Sequence, residues 1–259
     1  MPKAMESLER IKGQPLMSRA RDILFRLHLA AFPPLCRNCG RWLRRPVEAP
    51  LESPVSAYPF LCPSCLADLP WQVEHSAPPP AGVDRVHAPF AYDQPVSRWI
   101  QRYKYEGAEE LARMLGRLLA MAPGLGLSLG ETDLVAPVPL HPRRLRWRGF
   151  NQALLLAHHM LGGVPLPHGN GGPVLAATLL SRSRHTRPQV EMDASERFWN
   201  VDGAFGLGPG VQATPERLRG LRVLLVDDVM TTGSTLSVCA RVLKEAGASR
   251  VEALVLARA

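Results

Sequence analysis

The 259-residue sequence contains no apolar run long enough to cross a membrane. The longest apolar stretch near its start, residues 23–32, is about ten residues long and is interrupted by Arg26 and His28, whereas a membrane-spanning helix needs about 20 residues. The first residues also lack the compact apolar segment and small-residue cleavage site of a signal peptide. We therefore expect a cytoplasmic protein without membrane insertion.

Lysine and aromatic residues are also scarce. Lysine supplies only four of the 31 basic residues, so the net charge of +8 is carried mainly by arginine. Guanidinium groups bind phosphate oxygens in pairs, which favours phosphate ligands or polyanions, although the base composition of a genome can also enrich arginine. With seven phenylalanines and four tyrosines, no aromatic platform for stacking bases is evident in the sequence.

The composition nevertheless predicts a folded chain, because 46% of the residues are apolar and 21% are charged. Punctuation by proline divides it into a tail with a short helix (1–34), a cysteine module (35–75), a linker (76–82) and a larger domain (83–259). In the larger domain, apolar runs alternate with helical patterns, including helices around Leu111–Leu119 and over Asn151–Leu161 and a strand over Asp133–Val138. This alternation predicts an α/β fold.

Four of the five cysteines form two C-x2-C pairs, namely Cys36 with Cys39 and Cys62 with Cys65. Two such pairs supply the four sulfurs of a tetrahedral zinc site, and a site filled by four cysteines leaves no position for a catalytic water. The spacing therefore favours structural zinc; two disulfides or a redox pair are the alternatives. The fifth, Cys239, fits a helix in the core.

The segment 222–259 carries the most informative pattern. An apolar run, Val223–Val226, predicts a buried parallel strand, and Asp227 and Asp228 follow it. A loop of hydroxyl residues around Gly233 then leads into a helix, whose N-terminal N–H groups and dipole suit a phosphate. Carboxylates beside a phosphate loop indicate a phosphorylated ribose, bound through its hydroxyls directly or through a hard cation. An ordinary capped strand-to-helix turn is the alternative.

A second basic segment, Val138–Gln152, contains four arginines and no acidic residue. This charge suits a pyrophosphate with Mg²⁺ on the far side of the sugar, although a solvated basic face is also compatible with the pattern.

Specific motifs then point to a family. The run VLLVDDVMTTGST, Val223–Thr235, closely resembles the phosphoribosyl pyrophosphate (PRPP) motif of type I phosphoribosyltransferases. The four-cysteine module and the segments VPLHPRRLRWRGFNQ and RPQVEMDASERFWNVDGAF, 138–152 and 187–205, are similar to the competence protein F family. The resemblance covers about residues 29–259. It implies a type I phosphoribosyltransferase fold, a mostly parallel sheet flanked by helices, after a small zinc module.

The resemblance also implies roles for individual residues. Asp227, Asp228 and Arg148 would be catalytic, with Mg²⁺ accompanying PRPP, and Arg182 and Arg184 would line a flexible lid together with Arg187, Gln189, Arg197 and Asn200. The implied PRPP-binding residues are Lys104, Tyr105, Arg146, Arg148, Gly149, Asn151, Gln152, Asp227, Asp228, Thr231, Thr232, Gly233, Ser234 and Thr235. For Lys104 and Tyr105, a plain surface helix end is the alternative.

Three functions stay open at this point. The chain is a phosphoribosyltransferase on an unidentified acceptor, a PRPP-binding sensor without turnover, or a competence factor whose zinc module and arginines contact single-stranded DNA. The last two are compatible with each other. The family resemblance further implies partners in the competence machinery.

Overall fold

The computed structural model describes residues 35–43, 60–72, 78–120, 122, 129–162, 172–184 and 203–259, and the chain divides into two compact units after Ala67. The predicted short helix of the tail, before Pro33, lies outside the described residues. Within these residues, no helix is long and apolar enough to span a bilayer. The domain limits at residues 75 and 82 stay predictions.

The smaller unit is built around the cysteine pairs. Leu35 and Trp42 form an isolated antiparallel bridge, which folds the first pair back on itself. Gly40 completes this turn with a φ of 72°, in the left-handed region that glycine adopts at no steric cost. The second pair lies around helix α1, Pro63–Ala67, where Cys65 is buried.

The larger unit contains a parallel sheet with the strand order β1-β8-β7-β3-β4. Its strands are β1 (Arg85–His87), β3 (Leu134–Pro137), β4 (Val174–Leu175), β7 (Arg222–Met230) and β8 (Arg250–Arg258), and β2 (Phe90–Ala91) pairs with the end of β8. A separate antiparallel pair joins β5 (Leu180–Arg182) to β6 (Phe205–Leu207). Because parallel strands end at the same edge, the residues after β3 and at the end of β7 are brought together.

Helices surround this sheet, and α5 and α7 pack directly on its strands. The helices of the larger unit are α2 (Val96–Tyr105), α3 (Glu110–Ala120), α4 (Pro142–Arg148), α5 (Gln152–Leu161), the short α6 (Pro209–Gln212) and α7 (Ser234–Glu245). Helix α5 packs on β3 and β7, and α3 packs on α5 at Gly116, where a Cβ would lie 2.6 Å from the Cβ of His159. Helix α7 buries Leu236, Cys239 and Leu243 in the core that includes Leu225. The α/β alternation and the core position of Cys239 are confirmed.

Strand β7 is longer than the apolar run predicted. It continues past Val226 through both aspartates to Met230, because Asp227 still pairs with Val255 and Val229 with Ala257 of β8. The two carboxylates therefore belong to the last residues of a strand, where successive side chains point to opposite faces of the sheet.

Candidate functional site

The end of β7 brings the two aspartates to a lysine from another element. Asp228 is only 7% exposed, and its Oδ1 atom lies 2.7 Å from the Nζ atom of Lys104 near the end of α2. Asp227 lies towards Arg182 and Cys239, and its Oδ1 atom accepts a hydrogen bond of 2.8 Å from the backbone N–H of Asp228. The two carboxylates thus approach the sheet edge from opposite faces.

These charges shift one another's ionisation. Burial and the negative charge of Asp228 raise the pKa of Asp227 to about 7. Burial opposes the charge of Lys104, but the nearby carboxylates of Asp228 and Asp227 raise its pKa. Two adjacent carboxylates share the attraction of one lysine, so the site is suited to a ligand that brings hydrogen-bond donors or positive charge to them.

The hydroxyl loop after β7 has the geometry of an anion cradle. Gly233 caps α7 with a φ of 76°, and α7 has no acidic residue in its first turn. The hydroxyl oxygens of Thr232 and Ser234 lie 2.8 Å apart, and Thr232 and Thr231 are exposed while Ser234 is buried. Thr235 follows in the first turn, partly buried. The loop therefore presents hydroxyl groups beside the positive end of a twelve-residue helix.

Three arginines are electrostatically linked to this edge, and we call them the arginine cluster: Arg144, Arg148 and Arg182. Burial and repulsion by Arg148 lower the pKa of Arg144, and burial and repulsion by Arg144 lower the pKa of Arg182 to about 10. Within the described part of the chain, the buried Nε atom of Arg148 has no hydrogen-bond partner. Cations that depress one another's pKa gain stability from an anion placed between them.

Several predicted PRPP-binding residues shape the loop after β3. His141 caps α4 by accepting the N–H of Arg143, and Gly149 ends α4 with a φ of 86°. Asn151 caps α5 through its Oδ1 atom and donates from Nδ2 to the carbonyl of Val138 at 3.1 Å. Gln152 is 2% exposed. The side chains of Asn151 and Gln152 therefore support the loop rather than extend from it.

Other predicted residues are placed at the surface or not described. Arg146 is exposed on α4, and Arg184 is exposed after β5. The lid residues Arg187, Gln189, Arg197 and Asn200 lie outside the described residues, so their role stays a prediction.

The structure also contains an aromatic pair that the sequence did not reveal. Tyr105, at the end of α2, and Trp147, on α4, have ring centroids 6.4 Å apart. The guanidinium carbon of Arg148 lies 5.3 Å from the Tyr105 centroid and 5.8 Å from the Trp147 centroid. This pair was not evident in the sequence, because folding joins residues that are far apart along the chain. A tryptophan among four arginines of one short helix was the available signal.

In the smaller unit, Cys36, Cys39, Cys62 and Cys65 are positioned to hold a metal ion, with all four sulfurs within 4.8 Å of one another. The sulfurs of Cys39 and Cys62 are 3.8 Å apart. Four sulfurs placed tetrahedrally at about 2.3 Å from zinc are about 3.8 Å from one another, so this spacing fits a zinc site. The backbone N–H of Cys62 donates to the sulfur of Cys36 at 3.4 Å. Donation of this kind stabilises a thiolate, the form that binds metal.

Comparison with known proteins agrees with this architecture. Residues 172–259 match the model of the phosphoribosyl transferase domain. This segment contains both aspartates, the hydroxyl loop and α7, and together with the parallel sheet it confirms the predicted type I phosphoribosyltransferase fold.

Longer similarities extend over both units. The chain is 31% identical over 230 residues to competence protein F of Haemophilus influenzae, covering 87% of this chain and 90% of that protein. It is 33% identical over 230 residues to the DNA utilization protein YhgH of Salmonella typhimurium, covering 86% and 90%. Competence protein ComFC of Streptococcus pneumoniae is 29% identical over 173 residues, covering 65% and 66%.

Proposed function

Because this chain belongs to the competence protein F family, we propose that its larger unit binds PRPP with Mg²⁺ and transfers the 5-phosphoribosyl group. The observation that carries this proposal is the end of β7, where two carboxylates, a lysine and a hydroxyl loop meet. Each part has a counterpart in PRPP, which contains a 5′-phosphate, two ribose hydroxyls and a pyrophosphate.

The hydroxyl loop takes the 5′-phosphate. The hydroxyls of Thr232 and Ser234 and the N–H groups at the start of α7 donate to its oxygens, and the helix dipole favours its charge. Asp227 and Asp228 accept hydrogen bonds from the 2′ and 3′ hydroxyls.

The arginine cluster and Lys104 bind the pyrophosphate. Arg148 contributes a buried Nε atom that has no partner among the described residues, and its charge adds to that of Arg144 and Arg182. A pyrophosphate relieves the repulsion among these guanidinium groups, and planar guanidinium forks match its oxygens.

Transfer then breaks the bond between ribose C1 and a pyrophosphate oxygen. The electron pair leaves with pyrophosphate, where the arginine cluster stabilises it, and the carboxylates at the end of β7 stabilise the positive charge that develops on the ribose. A nitrogen nucleophile of the acceptor forms the new bond to C1. Bound Mg²⁺ would neutralise part of the pyrophosphate charge, and the paired carboxylates of Asp227 and Asp228 are oxygen donors suited to such a hard cation.

Isothermal titration with Mg²⁺-PRPP, ribose 5-phosphate and pyrophosphate tests whether the hydroxyl loop binds the 5′-phosphate and the arginine cluster binds the pyrophosphate. Thr232→Val, which removes one hydroxyl, should weaken both PRPP and ribose 5-phosphate by about tenfold. Arg148→Gln should weaken PRPP and pyrophosphate while leaving ribose 5-phosphate unchanged. Arg113→Gln, on the exposed part of α3, removes the same charge and is the control that should change none of the three.

Two results would decide between binding and transfer. Release of pyrophosphate on addition of a nitrogen nucleophile supports transfer, whereas tight PRPP binding without release supports a sensor. Absence of PRPP binding by the folded wild-type chain would reject both. The names of the relatives, competence protein and DNA utilization protein, lead us to propose that this activity serves the uptake or use of DNA in the cytoplasm.

For the smaller unit we propose one structural zinc ion held by the four cysteines. Sulfur ligands at tetrahedral spacing favour zinc, and a set of four protein ligands supplies folding free energy rather than a reactive metal position.

A further inference from the structure

The larger unit has a polar cavity at the edge of the sheet opposite the two aspartates of β7. Its volume is about 140 Å³, and it lies where β1, β7 and β8 begin, whereas the proposed PRPP site lies where β7 ends. Three arginines and two glutamates line it, namely Arg85, Arg222, Arg250, Glu131 and Glu252. None of these residues belongs to the proposed PRPP site, so the cavity is a separate feature of the fold.

The three arginines are the first residues of three neighbouring strands. Arg222 of β7 is the register partner of Arg250 of β8, and Arg85 of β1 is the partner of Glu252, two residues further along β8. Register partners, and residues two apart on one strand, lie on the same face of a sheet. Since neighbouring strands are about 4.8 Å apart, the three long side chains can reach one small ligand.

Two of these arginines are held in place by carboxylates. Both oxygens of Asp133 accept from Arg222, which donates from Nε to Oδ2 and from Nη2 to Oδ1 at 3.2 Å each. Glu252 accepts from Arg250 through Oε1 at 2.6 Å, and its Oε2 atom lies 2.6 Å from Nε2 of the buried His87. The acidic oxygens therefore already have partners, and the guanidinium groups of Arg222 and Arg250 are preorganised.

The hydrogen-bonding capacity that these contacts leave unused consists mainly of donors. A guanidinium presents several N–H donors and no acceptor. Arg222 uses two donor nitrogens in the contacts described and Arg250 uses one, while the side chain of Arg85 makes no hydrogen bond or ion pair within the described part of the chain. Glu131 is exposed, so solvent screens its charge. An excess of fixed cationic donors favours a ligand composed of acceptors, which is an oxyanion.

We propose that this cavity binds a phosphate group through Arg85, Arg222 and Arg250. Guanidinium forks match phosphate oxygens in pairs, and three forks from three strands suit a tetrahedral group better than a planar carboxylate. The volume equals that of about five water molecules at about 30 Å³ each, whereas pockets that enclose a whole small molecule begin at about 300 Å³. The ligand is therefore inorganic phosphate, or a phosphomonoester whose remaining part stays outside. This inference does not rest on PRPP binding.

Isothermal titration of the full chain with inorganic phosphate and with glycerol 3-phosphate, at constant ionic strength, tests the proposal. Arg85→Gln is the decisive variant, because Arg85 is exposed and its loss breaks no ion pair among the described residues. This variant should lose one equivalent of bound phosphate, or bind it at least tenfold more weakly, whether or not the hydroxyl loop binds another. Arg85→Lys, which keeps the charge but not the fork, should show an intermediate affinity.

Arg113→Gln, which removes the same charge from the exposed part of α3, is the matched control and should bind phosphate as the wild type does. Unfolding in urea without phosphate should be the same for Arg85→Gln and the wild type, so that the loss reports a ligand contact. Equal affinities for the two ligands would assign the phosphate group alone as the ligand, and tighter binding of glycerol 3-phosphate would assign a monoester.

Three results would overturn the proposal. The first is that the folded wild-type chain binds neither ligand. The second is that Arg85→Gln and Arg85→Lys bind phosphate with the stoichiometry and affinity of the wild type. The third is an equal loss in Arg113→Gln, which would show that phosphate responds only to the net charge of the chain.

Discussion

The ammonium of Lys104 lies 2.7 Å from the carboxylate of Asp228, and their side chains are only 20% and 10% exposed. This pair connects the end of α2 to the end of β7, which are distant in sequence. It neutralises a carboxylate that would otherwise be buried with an unbalanced charge. The pair therefore links the stability of the larger unit to the proposed ligand site.

Removal of this lysine should be costly. Lys104→Met keeps the length of the side chain but leaves Asp228 without its cation, so we expect a loss of about 3 kcal/mol in the free energy of unfolding, measured in urea. The matched control is Lys244→Met, which breaks the more exposed pair with Asp84 and should cost less than about 1 kcal/mol. Similar losses for the two variants would show that burial of the Lys104 pair has no energetic consequence.

Asp227 should make stability and ligand affinity depend on pH in opposite directions. Its pKa of about 7 lies above the usual value of about 3.9, so the folded chain holds this proton more tightly than the unfolded chain. The resulting stability is complete below about pH 4 and is lost as the pH rises through about 7. Asp227→Asn should therefore gain stability relative to the wild type between pH 5 and 8. Ribose 5-phosphate should bind the wild type more tightly over the same interval, as the carboxylate ionises.

Urea unfolding at several pH values checks the stability part of this prediction. Asp133→Asn is the control, because Arg222 lowers the pKa of Asp133. The stability that Asp133 contributes is present above about pH 4 and is lost as the pH falls through its folded pKa, so its cost should stay constant between pH 5 and 8. A constant difference between Asp227→Asn and the wild type would contradict the raised pKa.

The local part of the site could be predicted from the sequence, since Asp227 to Thr235 follow one another along a strand, a turn and a helix. Two features of Asp227 and Asp228 could not. The β7 pairing extends beyond the apolar run, so the carboxylates lie on opposite faces, and the partner of Asp228 comes from α2. Both depend on packing between distant segments, and neither hydrophobic periodicity nor spacing encodes it.

The pairing of Tyr105 with Trp147 could not be predicted from the sequence for the same reason. Trp147 stands among arginines, where a helical pattern shows no apolar partner for it, and Tyr105 ends a different helix. Only the packing of α2 and α4 places the rings side by side. The cysteine site, in contrast, was predictable because each C-x2-C pair is local and only the meeting of the two pairs depends on the fold.

Gly233 should contribute to the stability of the larger unit even when no ligand is bound. Its φ is 76°, and a Cβ there would lie 2.3 Å from Cγ of Pro80. We expect Gly233→Ala to lower the free energy of unfolding by roughly 1–3 kcal/mol, because the residue is strained and the proline must move. Gly210→Ala, where a Cβ meets nothing within 4 Å, should be neutral or slightly stabilising. Thermal unfolding of both variants and of the wild type measures the difference. Equal melting temperatures for the two variants would show that the loop relaxes without cost.

The metal site gives the last prediction. The purified full chain should contain one zinc ion, because four thiolates within 4.8 Å of one another fill a tetrahedral set. Cys62→Ser should lose the metal and unfold the smaller unit, since zinc binding supplies its folding free energy, while the larger unit keeps its own unfolding transition. Cys239→Ala is the control. Cys239 is buried in the core of the larger unit and is not one of the four ligands, so this variant should keep a full equivalent of zinc. Elemental analysis of anaerobically purified protein measures the zinc content, and thiol titration counts the free cysteines. Less than about half an equivalent of zinc in the wild type, with four free thiols in the smaller unit, would exclude this site.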